Sequence, residues 1–157
     1  MVIIVKKMNS LRIASYNCNG VRSKLPMIGD LCDKSDLVLL QETWLFPTDL
    51  TLLDSVHGDF CSASQSSIDM ENFIVGRPFG GLSILWRKCL EPFVSVLDFQ
   101  DARLSGVSIC TSEYNVLFIK VYLPFRRRDN TNTYNMYMGK GFINYCKEQF
   151  HRNICRG

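Results

Sequence analysis

The sequence has no long apolar run of the kind that crosses a membrane and no recognisable export signal. A membrane-spanning helix needs about 20 apolar residues. The opening apolar segment, Val2 to Val5, is too short for the core of a signal peptide and is followed, not preceded, by two lysines. We therefore expect a protein that is neither membrane-inserted nor secreted, and we place it inside the cell.

Cysteine and histidine are present, but without the spacings that bind metals. The seven cysteines are scattered and the closest two are nine positions apart, so no Cys-x-x-Cys pair exists. The two histidines, His57 and His151, also lack metal-ligand spacing. We expect reduced thiols, as in proteins that stay inside the cell.

The net charge of +3 is small but unevenly distributed. Residues 1–124 hold 11 basic and 13 acidic side chains, a net charge of −2. Residues 125–157 hold seven basic and two acidic side chains, a net charge of +5. This asymmetry is a weak sign of an anionic partner.

The composition is that of a globular domain, with 46% hydrophobic and 21% charged residues. The hydrophobic pattern predicts strands at residues 11–17, 36–41, 81–87, 92–99, 103–110 and 115–123. It predicts helices at residues 24–34, capped by Ser23, and 134–152, with a loop-rich stretch at 43–79 and a polar linker at 126–133. This order favours a layered α/β or α+β fold over a doubly wound parallel sheet.

Polar side chains close the first two predicted strands. Asn17 ends the first, and Glu42 is the first charged residue after the apolar second strand. A carboxylate at the C-terminal end of a buried strand can bind a hard cation. Mg²⁺ is commonly bound by one or two carboxylates together with phosphate oxygens and waters. Each residue also has an ordinary explanation, because Glu42 can mark the exit of the strand into solvent and Asn17 can be a turn residue.

Three further features have a simple structural interpretation beside a functional one. Gly80-Gly81 is more easily explained as a turn into a strand than as a site of close backbone approach. Tyr122 can point into a cleft, although tyrosines in strands more often pack. The three arginines at residues 126–128 can contact phosphates or form a solvated loop.

Four segments, taken in order, resemble successive motifs of the endonuclease/exonuclease/phosphatase superfamily. They are LRIASYNCNGVR at residues 11–22, LVLLQET at 37–43, RPFGGLSILW at 77–86 and VLFIKVYLP at 116–124. Four motifs in the right order are far more specific than any one of them. The sequences of these motifs are most similar to those of the apurinic-like endonuclease domain of LINE-type (non-LTR) retrotransposons. The resemblance covers roughly residues 11–150.

The resemblance implies an α/β fold, a four-layer DNase I-like sandwich with its active site between two sheets. It implies that Glu42 binds Mg²⁺, for which Mn²⁺ can substitute, that Asn17 hydrogen-bonds the catalytic groups and that Tyr122 steadies the scissile phosphate. Asn19 and Arg22 would contact the substrate, Arg22 at the DNA backbone. Repair-type enzymes are similar but carry Asp at the position of Asn19, so Asn favours the retrotransposon branch. We expect the Asn17 amide and the Glu42 carboxylate to meet around a divalent ion.

Two motifs of the family are not found in these 157 residues: Gly-Asp-Phe-Asn, and the Ser-Asp-His motif that supplies the general base. Residues 58–61, Gly-Asp-Phe-Cys, are a coincidental match because they precede the Gly-Gly strand and lack the asparagine. We therefore expect an extension at residues 1–10, a domain at 11–157 that is incomplete at its C-terminus, and little or no activity in this chain alone.

The expected function is Mg²⁺-dependent DNA cleavage, with DNA as the partner, no membrane association and no obligate protein partner that can be inferred. A retrotransposon endonuclease would act in the nucleus. Two alternatives stay open at this point. One is a superfamily phosphatase that acts on lipid or inositol phosphates, and the other is a non-catalytic nucleic-acid-binding remnant that uses the basic C-terminal segment.

Overall fold

The structure, a computed structural model, describes residues 11–68, 70, 79–112, 115–123 and 148. Its strands are β1 (Ile13–Asn17), β2 (Leu37–Gln41), β3 (Phe60–Gln65), β4 (Leu82–Arg87), β5 (Val94–Leu97), β6 (Leu104–Cys110) and β7 (Asn115–Val121). One α-helix, α1 (Leu25–Lys34), is described, with 3₁₀ segments at Arg22–Lys24, Pro47–Ser55 and Lys88–Phe93. The predicted α/β class is confirmed.

The strands form two sheets. The first has the order β1-β2-β4-β3, in which β1 and β2 are parallel and the other pairs are antiparallel. The second is antiparallel, in the order β5-β6-β7. Because β1 and β2 are parallel and joined through α1, their carboxyl ends lie at the same edge of the first sheet.

The β2 strand is buried on both faces, as its continuous apolar sequence predicts. Val38 and Leu40 pack toward α1, where Ile28 is fully buried. Leu37 and Leu39 point the opposite way and pack against the second sheet. The described residues therefore form three layers, with helical segments, the first sheet and the second sheet in turn. The fourth layer of the predicted sandwich lies outside them.

The space between the two sheets changes character along the strands. At one end it is filled by an apolar cluster that includes Leu37, Ile84, Trp86, Val107, Ile109 and Phe118. Toward the other end the residues on the same faces of β1, β6 and β7 are polar, whereas Leu82 of β4 is apolar and fully buried. Alternation along β1 and β7 brings Ser15 and Asn17 opposite Lys120 and Tyr122. The polar end is the edge at which β1 and β2 finish.

A charged network ties the opposite edge of the first sheet together. Asp36, just before β2, accepts hydrogen bonds from the guanidinium groups of Arg12 at 3.0 Å and Arg87 at 3.0 Å. It also accepts one from the Arg12 backbone N–H at 2.9 Å. The hydrogen bonds from the Arg12 side chain are the main cause that lowers the pKa of Asp36 to about 2.

Two details of the prediction are wrong. The helix begins at Leu25 rather than at residue 24, and Ser23 does not cap it because Ser23 lies within the preceding 3₁₀ turn. Pro26 occupies the first turn instead, where its missing N–H costs nothing. The prediction also missed one strand, β3 at Phe60–Gln65, within the stretch at 43–79 that it described as loop-rich.

The other predicted elements agree with the structure where it describes them. The four strands predicted after residue 80 correspond to β4, β5, β6 and β7, although β5 begins at Val94 because Lys88–Phe93 forms a 3₁₀ segment. The polar linker at 126–133 lies outside the described residues, as does the helix at 134–152 except for Glu148, which is helical. No helix in the described part of the chain has the length and apolar character to cross a membrane.

Candidate active site

The ends of β1 and β2 place Asn17 and Glu42 side by side. Asn17 pairs with Gln41, the last residue of β2, and Glu42 follows it directly. The Nδ2 of Asn17 donates a hydrogen bond to Oε1 of Glu42 at 3.0 Å. Asn17 is exposed and Glu42 half-buried, so the pair is open to a ligand from solvent.

The backbone at Glu42 is held in a conformation that side chains rarely adopt. Its φ of 55° lies in the left-handed region, which costs a non-glycine residue roughly 1–2 kcal/mol. The Glu42 carbonyl accepts a hydrogen bond from the Gly20 N–H at 2.9 Å, and the Thr43 carbonyl accepts one from the Val21 N–H at 3.0 Å. These bonds fix the turn and thereby the direction of the carboxylate.

Gly80 and Gly81 hold the other side of the same turn. Their carbonyls accept hydrogen bonds from the N–H groups of Trp44 at 3.0 Å and Thr43 at 3.3 Å. Both glycines have positive φ, 70° and 83°, and a Cβ on Gly81 would overlap Thr43 Oγ1. The pair is therefore a site of close backbone approach, and the interpretation as a turn alone is wrong in this respect.

Tyr122 brings the second sheet to this edge. It follows β7, and a Cβ placed on Gly80 would lie 3.9 Å from Cε1 of its ring. Burial raises the pKa of Tyr122, the charge of Glu42 raises it further, and the cation of Arg103 opposes them. The phenol is therefore protonated at neutral pH and can donate a hydrogen bond to an anion.

The structure also shows where Asn19 and Arg22 lie. The Asn19 N–H donates to Oδ1 of Asn17 at 3.1 Å, and this leaves Nδ2 to face Glu42. Arg22 lies in the 3₁₀ turn that follows, with its side chain 63% exposed and in an ion pair with Asp49 at 2.6 Å. Asn17, Asn19, Glu42 and Tyr122 thus share one edge, while Arg22 stands beside it with a protein partner.

The sequence-based selection of site residues missed Lys120. Its Nζ donates a hydrogen bond to Ser15 Oγ at 2.6 Å. Lys120 lies two residues before Tyr122, and Ser15 two residues before Asn17, so this contact crosses the inter-sheet space next to the site. The signal was the two-residue period of a strand, which puts Lys120 on the same face as Tyr122.

The donor set at this edge fits a hard divalent cation. Asn17 is the described residue that hydrogen-bonds the Glu42 carboxylate, which leaves its second oxygen for another ligand. One protein carboxylate, completed by waters and phosphate oxygens, is what Mg²⁺ commonly takes. No cluster of three or more His, Cys, Asp or Glu side chains that could hold a metal occurs among the described residues. Within this part of the chain, Glu42 would be the metal ligand.

Comparison with known sequences identifies one family. The sequence profile of the Endonuclease/Exonuclease/phosphatase family matches residues 14–146, which include all of the site residues described above. No curated protein matches the chain in a direct sequence comparison.

Comparison with solved structures finds the same fold. The AP endonuclease LMAP from Leishmania major superposes with a TM-score of 0.59 at 13% identity, over 90% of this chain and 48% of that one. The catalytic domain of APE2 from Xenopus laevis gives 0.58 at 17% identity, over 91% and 55%. The endonuclease domain of TRAS1, a telomere-specific non-LTR retrotransposon, gives 0.50 at 11% identity, over 83% and 54%.

These likenesses confirm the fold that the sequence motifs predict. The chain spans about half the length of the solved structures that it matches, since it covers 48% of the Leishmania protein and 54% of the TRAS1 domain.

Proposed function

Because the chain belongs to the endonuclease/exonuclease/phosphatase family, we propose that it contributes residues of a Mg²⁺-dependent site for cleaving DNA phosphodiester bonds. The observation that supports this proposal is the 3.0 Å hydrogen bond from Asn17 to Glu42, at the edge where Tyr122 also lies. Carboxylate, amide and phenol are the groups needed to hold a cation and to orient a phosphate beside it.

Glu42 would hold the metal ion, and Asn17 would fix the orientation of its carboxylate. A Mg²⁺ or Mn²⁺ ion at this point supplies Lewis-acid chemistry, because it withdraws charge from the phosphate and from the leaving oxygen. The bonds that fix the backbone on both sides of Glu42 keep the carboxylate in place, so little reorganisation is needed when the cation binds.

Tyr122 and Asn17 would bind the scissile phosphate. The Tyr122 phenol is protonated at neutral pH and donates one hydrogen bond. The Asn17 amide has two N–H groups, of which one bonds Glu42, so the second can face a phosphate oxygen. The phosphate would thus lie between donors from the two sheets.

The general base is the group that these residues do not provide. Neither Gly-Asp-Phe-Asn nor Ser-Asp-His occurs in the 157 residues. General base catalysis contributes about 10²–10⁴ in rate, or roughly 2.7–5.4 kcal/mol of barrier. We therefore expect this polypeptide by itself to bind metal and DNA but to cleave DNA slowly or not at all.

The retrotransposon type is favoured over a repair type by Asn19. The resemblance places Asp at this position in repair enzymes, whereas this chain has Asn. We propose nicking of DNA, rather than recognition of abasic sites, as the function of the site.

Metal binding gives the most direct test. Mn²⁺ binding to the wild-type chain is measured through the decrease in the EPR signal of the free ion. The same measurement is made on the Glu42→Gln and Asp30→Asn variants. Asp30 is an exposed carboxylate on α1 and serves as the matched control. We expect Glu42→Gln to weaken Mn²⁺ binding by more than tenfold and Asp30→Asn to leave it unchanged. Equal binding by all three chains contradicts the proposed metal site.

Substrate assays separate the remaining functions. Supercoiled plasmid with Mg²⁺ should show at most slow nicking, and robust nicking that is lost in Glu42→Ala would overturn the expected low activity. Release of phosphate from inositol phosphates would identify a phosphatase instead. Salt-sensitive DNA binding with no metal binding at Glu42 would identify a binding module.

A further inference from the structure

We propose that Lys120 is a phosphate-binding residue of this cleft and contacts the backbone of the bound DNA, an assignment that rests on the proposed function. The resemblance to the family motifs assigns a role to Tyr122 but none to Lys120, two positions before it. The structure places the half-buried Lys120 against strand β1, where its Nζ lies 2.6 Å from Oγ of the exposed Ser15.

The position of Lys120 on β7 directs it to the site. Phe118 belongs to the apolar cluster between the sheets, and Lys120 and Tyr122 follow it on the same face. In β6, Ser105 pairs with Lys120 in the register, so the change from apolar to polar occurs at the same level in both strands. Lys120 is therefore the first cation at the polar end of the inter-sheet space.

The charge of Lys120 is not neutralised by the protein around it. Its ammonium is half-buried and donates to one neutral hydroxyl, and no carboxylate lies within ion-pair distance of it in the part of the chain that the structure describes. An ammonium has three N–H donors, so two remain for a ligand. A partly desolvated cation without an anionic partner is costly, and a bound anion removes that cost.

The distances allow Lys120 to reach the phosphate proposed for Tyr122. Residues two apart in a strand are about 7 Å apart, and the four-carbon stem of lysine is flexible. The Lys120 ammonium contacts Ser15, and the Glu42 carboxylate contacts Asn17, two residues further along β1. Both charges therefore lie near the end of β1, where they can act on one phosphodiester group or on two adjacent ones.

The structural alternative is that Lys120 only joins the two sheets through Ser15. The two roles differ in their dependence on salt. Each phosphate neutralised on double-stranded DNA contributes about 0.9 to the slope of log affinity against log salt. A residue that joins the sheets contributes to stability but not to this slope.

The experiment measures the affinity of the chain for a fluorescein-labelled DNA duplex by anisotropy, in EDTA, between 50 and 200 mM salt. EDTA removes any contribution of a metal at Glu42. The variants are Lys120→Gln, Ser15→Ala and Lys88→Gln. Lys88 is an exposed lysine after β4, at the opposite edge of the sheet, and serves as the matched control.

We expect Lys120→Gln to reduce the slope by about 0.9 and to weaken binding, while Ser15→Ala and Lys88→Gln keep the wild-type slope. An unchanged slope in Lys120→Gln overturns the proposal, whether or not its thermal stability falls. An equal reduction of the salt-dependence slope in Lys88→Gln also overturns the proposal, because the reduction would then come from the lower net charge of the chain and not from a contact at Lys120.

A second probe separates this proposal from the proposed function. The lysines are methylated with ¹³C, which keeps their charge, and the Lys120 signal is assigned by its loss in Lys120→Arg. Inorganic phosphate should move this signal in a saturable way. If the chain does not bind DNA but phosphate moves the Lys120 signal, the anion site stands and the DNA function fails. If neither inorganic phosphate nor the DNA duplex moves the Lys120 signal, the proposed Lys120 site is wrong.

Discussion

The side-chain amide of Asn17 donates a hydrogen bond to the carboxylate of Glu42 at 3.0 Å, across the boundary between two parallel strands. The Asn19 N–H holds the other end of the same amide at 3.1 Å. An amide that is held at both ends can fix the direction of a carboxylate without neutralising its charge. The relationship explains how one acidic residue on a turn can serve as a rigid ligand.

Removal of the Asn17 amide should weaken metal binding without unfolding the protein. Groups that orient a ligand typically contribute 10–100-fold to metal affinity, so we expect Asn17→Ala to lower Mn²⁺ affinity by about tenfold in the EPR titration. Asn115→Ala is the control, since Asn115 is exposed at the start of β7. Wild-type affinity in Asn17→Ala would mean that the amide does not orient Glu42.

A methyl group at Gly81 should disturb the turn that carries Glu42. Because the added Cβ would overlap Thr43 Oγ1 and φ is 83°, we expect Gly81→Ala to lower the free energy of unfolding by about 2 kcal/mol. Gly58→Ala is the matched control, since nothing lies within 4 Å of a Cβ at Gly58. Urea denaturation measures both, and equal midpoints would show that the close approach has no energetic cost.

Loss of the Tyr122 hydroxyl should weaken DNA binding and spare the fold. A hydrogen bond is worth about 1 kcal/mol, so Tyr122→Phe should reduce affinity for a DNA duplex about fivefold. Tyr16→Phe is the control, because Tyr16 packs against the cluster on the α1 side of the first sheet. Equal affinity in the two variants would remove Tyr122 from the phosphate site.

The Asp36 network predicts how stability depends on pH. The pKa of Asp36 is lowered from 3.8 to about 2 in the folded state, so the unfolded chain binds the proton more tightly. The network therefore stabilises the fold above about pH 4, and this stabilisation is lost as the pH falls toward 2. Asp36→Asn should lower the free energy of unfolding at pH 7 by about 2 kcal/mol.

The pH profile of the variants checks the sign. Urea midpoints of the wild type should fall between pH 4 and pH 2, and the difference from Asp36→Asn should shrink over the same interval. Asp30→Asn, at an exposed position on α1, should follow the wild type at every pH. A difference that grows as the pH falls would contradict the depressed pKa of Asp36.

Much of the fold could be predicted because the sequence patterns are locally consistent. The continuous apolar run of β2 predicts burial on both faces, and the structure confirms it. The β3 strand was missed because its sequence, Phe-Cys-Ser-Ala-Ser-Gln, is rich in small and polar residues with weak strand preference. It forms because β4 supplies partners that lie 17 to 27 positions further along the chain, and the local sequence does not contain that information.

The sequence indicated some of the residues at the candidate site, but not Lys120 and not the backbone geometry that positions them. Asn17, Glu42 and Tyr122 follow from the ends of strands and from the motifs, and the structure brings them to one edge. The left-handed backbone of Glu42 has no signature in the sequence, since glutamate seldom adopts it. It is imposed by hydrogen bonds from the loops around Gly20 and Gly81, which are distant along the chain.

The side chains between the two sheets change from apolar to polar along the strands, and this change also constrains how the strands can align. If β7 slipped by two residues along β6, Lys120 would take the place of Phe118 opposite Val107, and an ammonium would enter the driest part of the interior. A slip by one residue would turn every side chain to the wrong face. The polar residues of the cleft therefore help to define the register of strand pairing. A substitution that makes Lys120 apolar would weaken this register preference and would also remove the charge from the cleft.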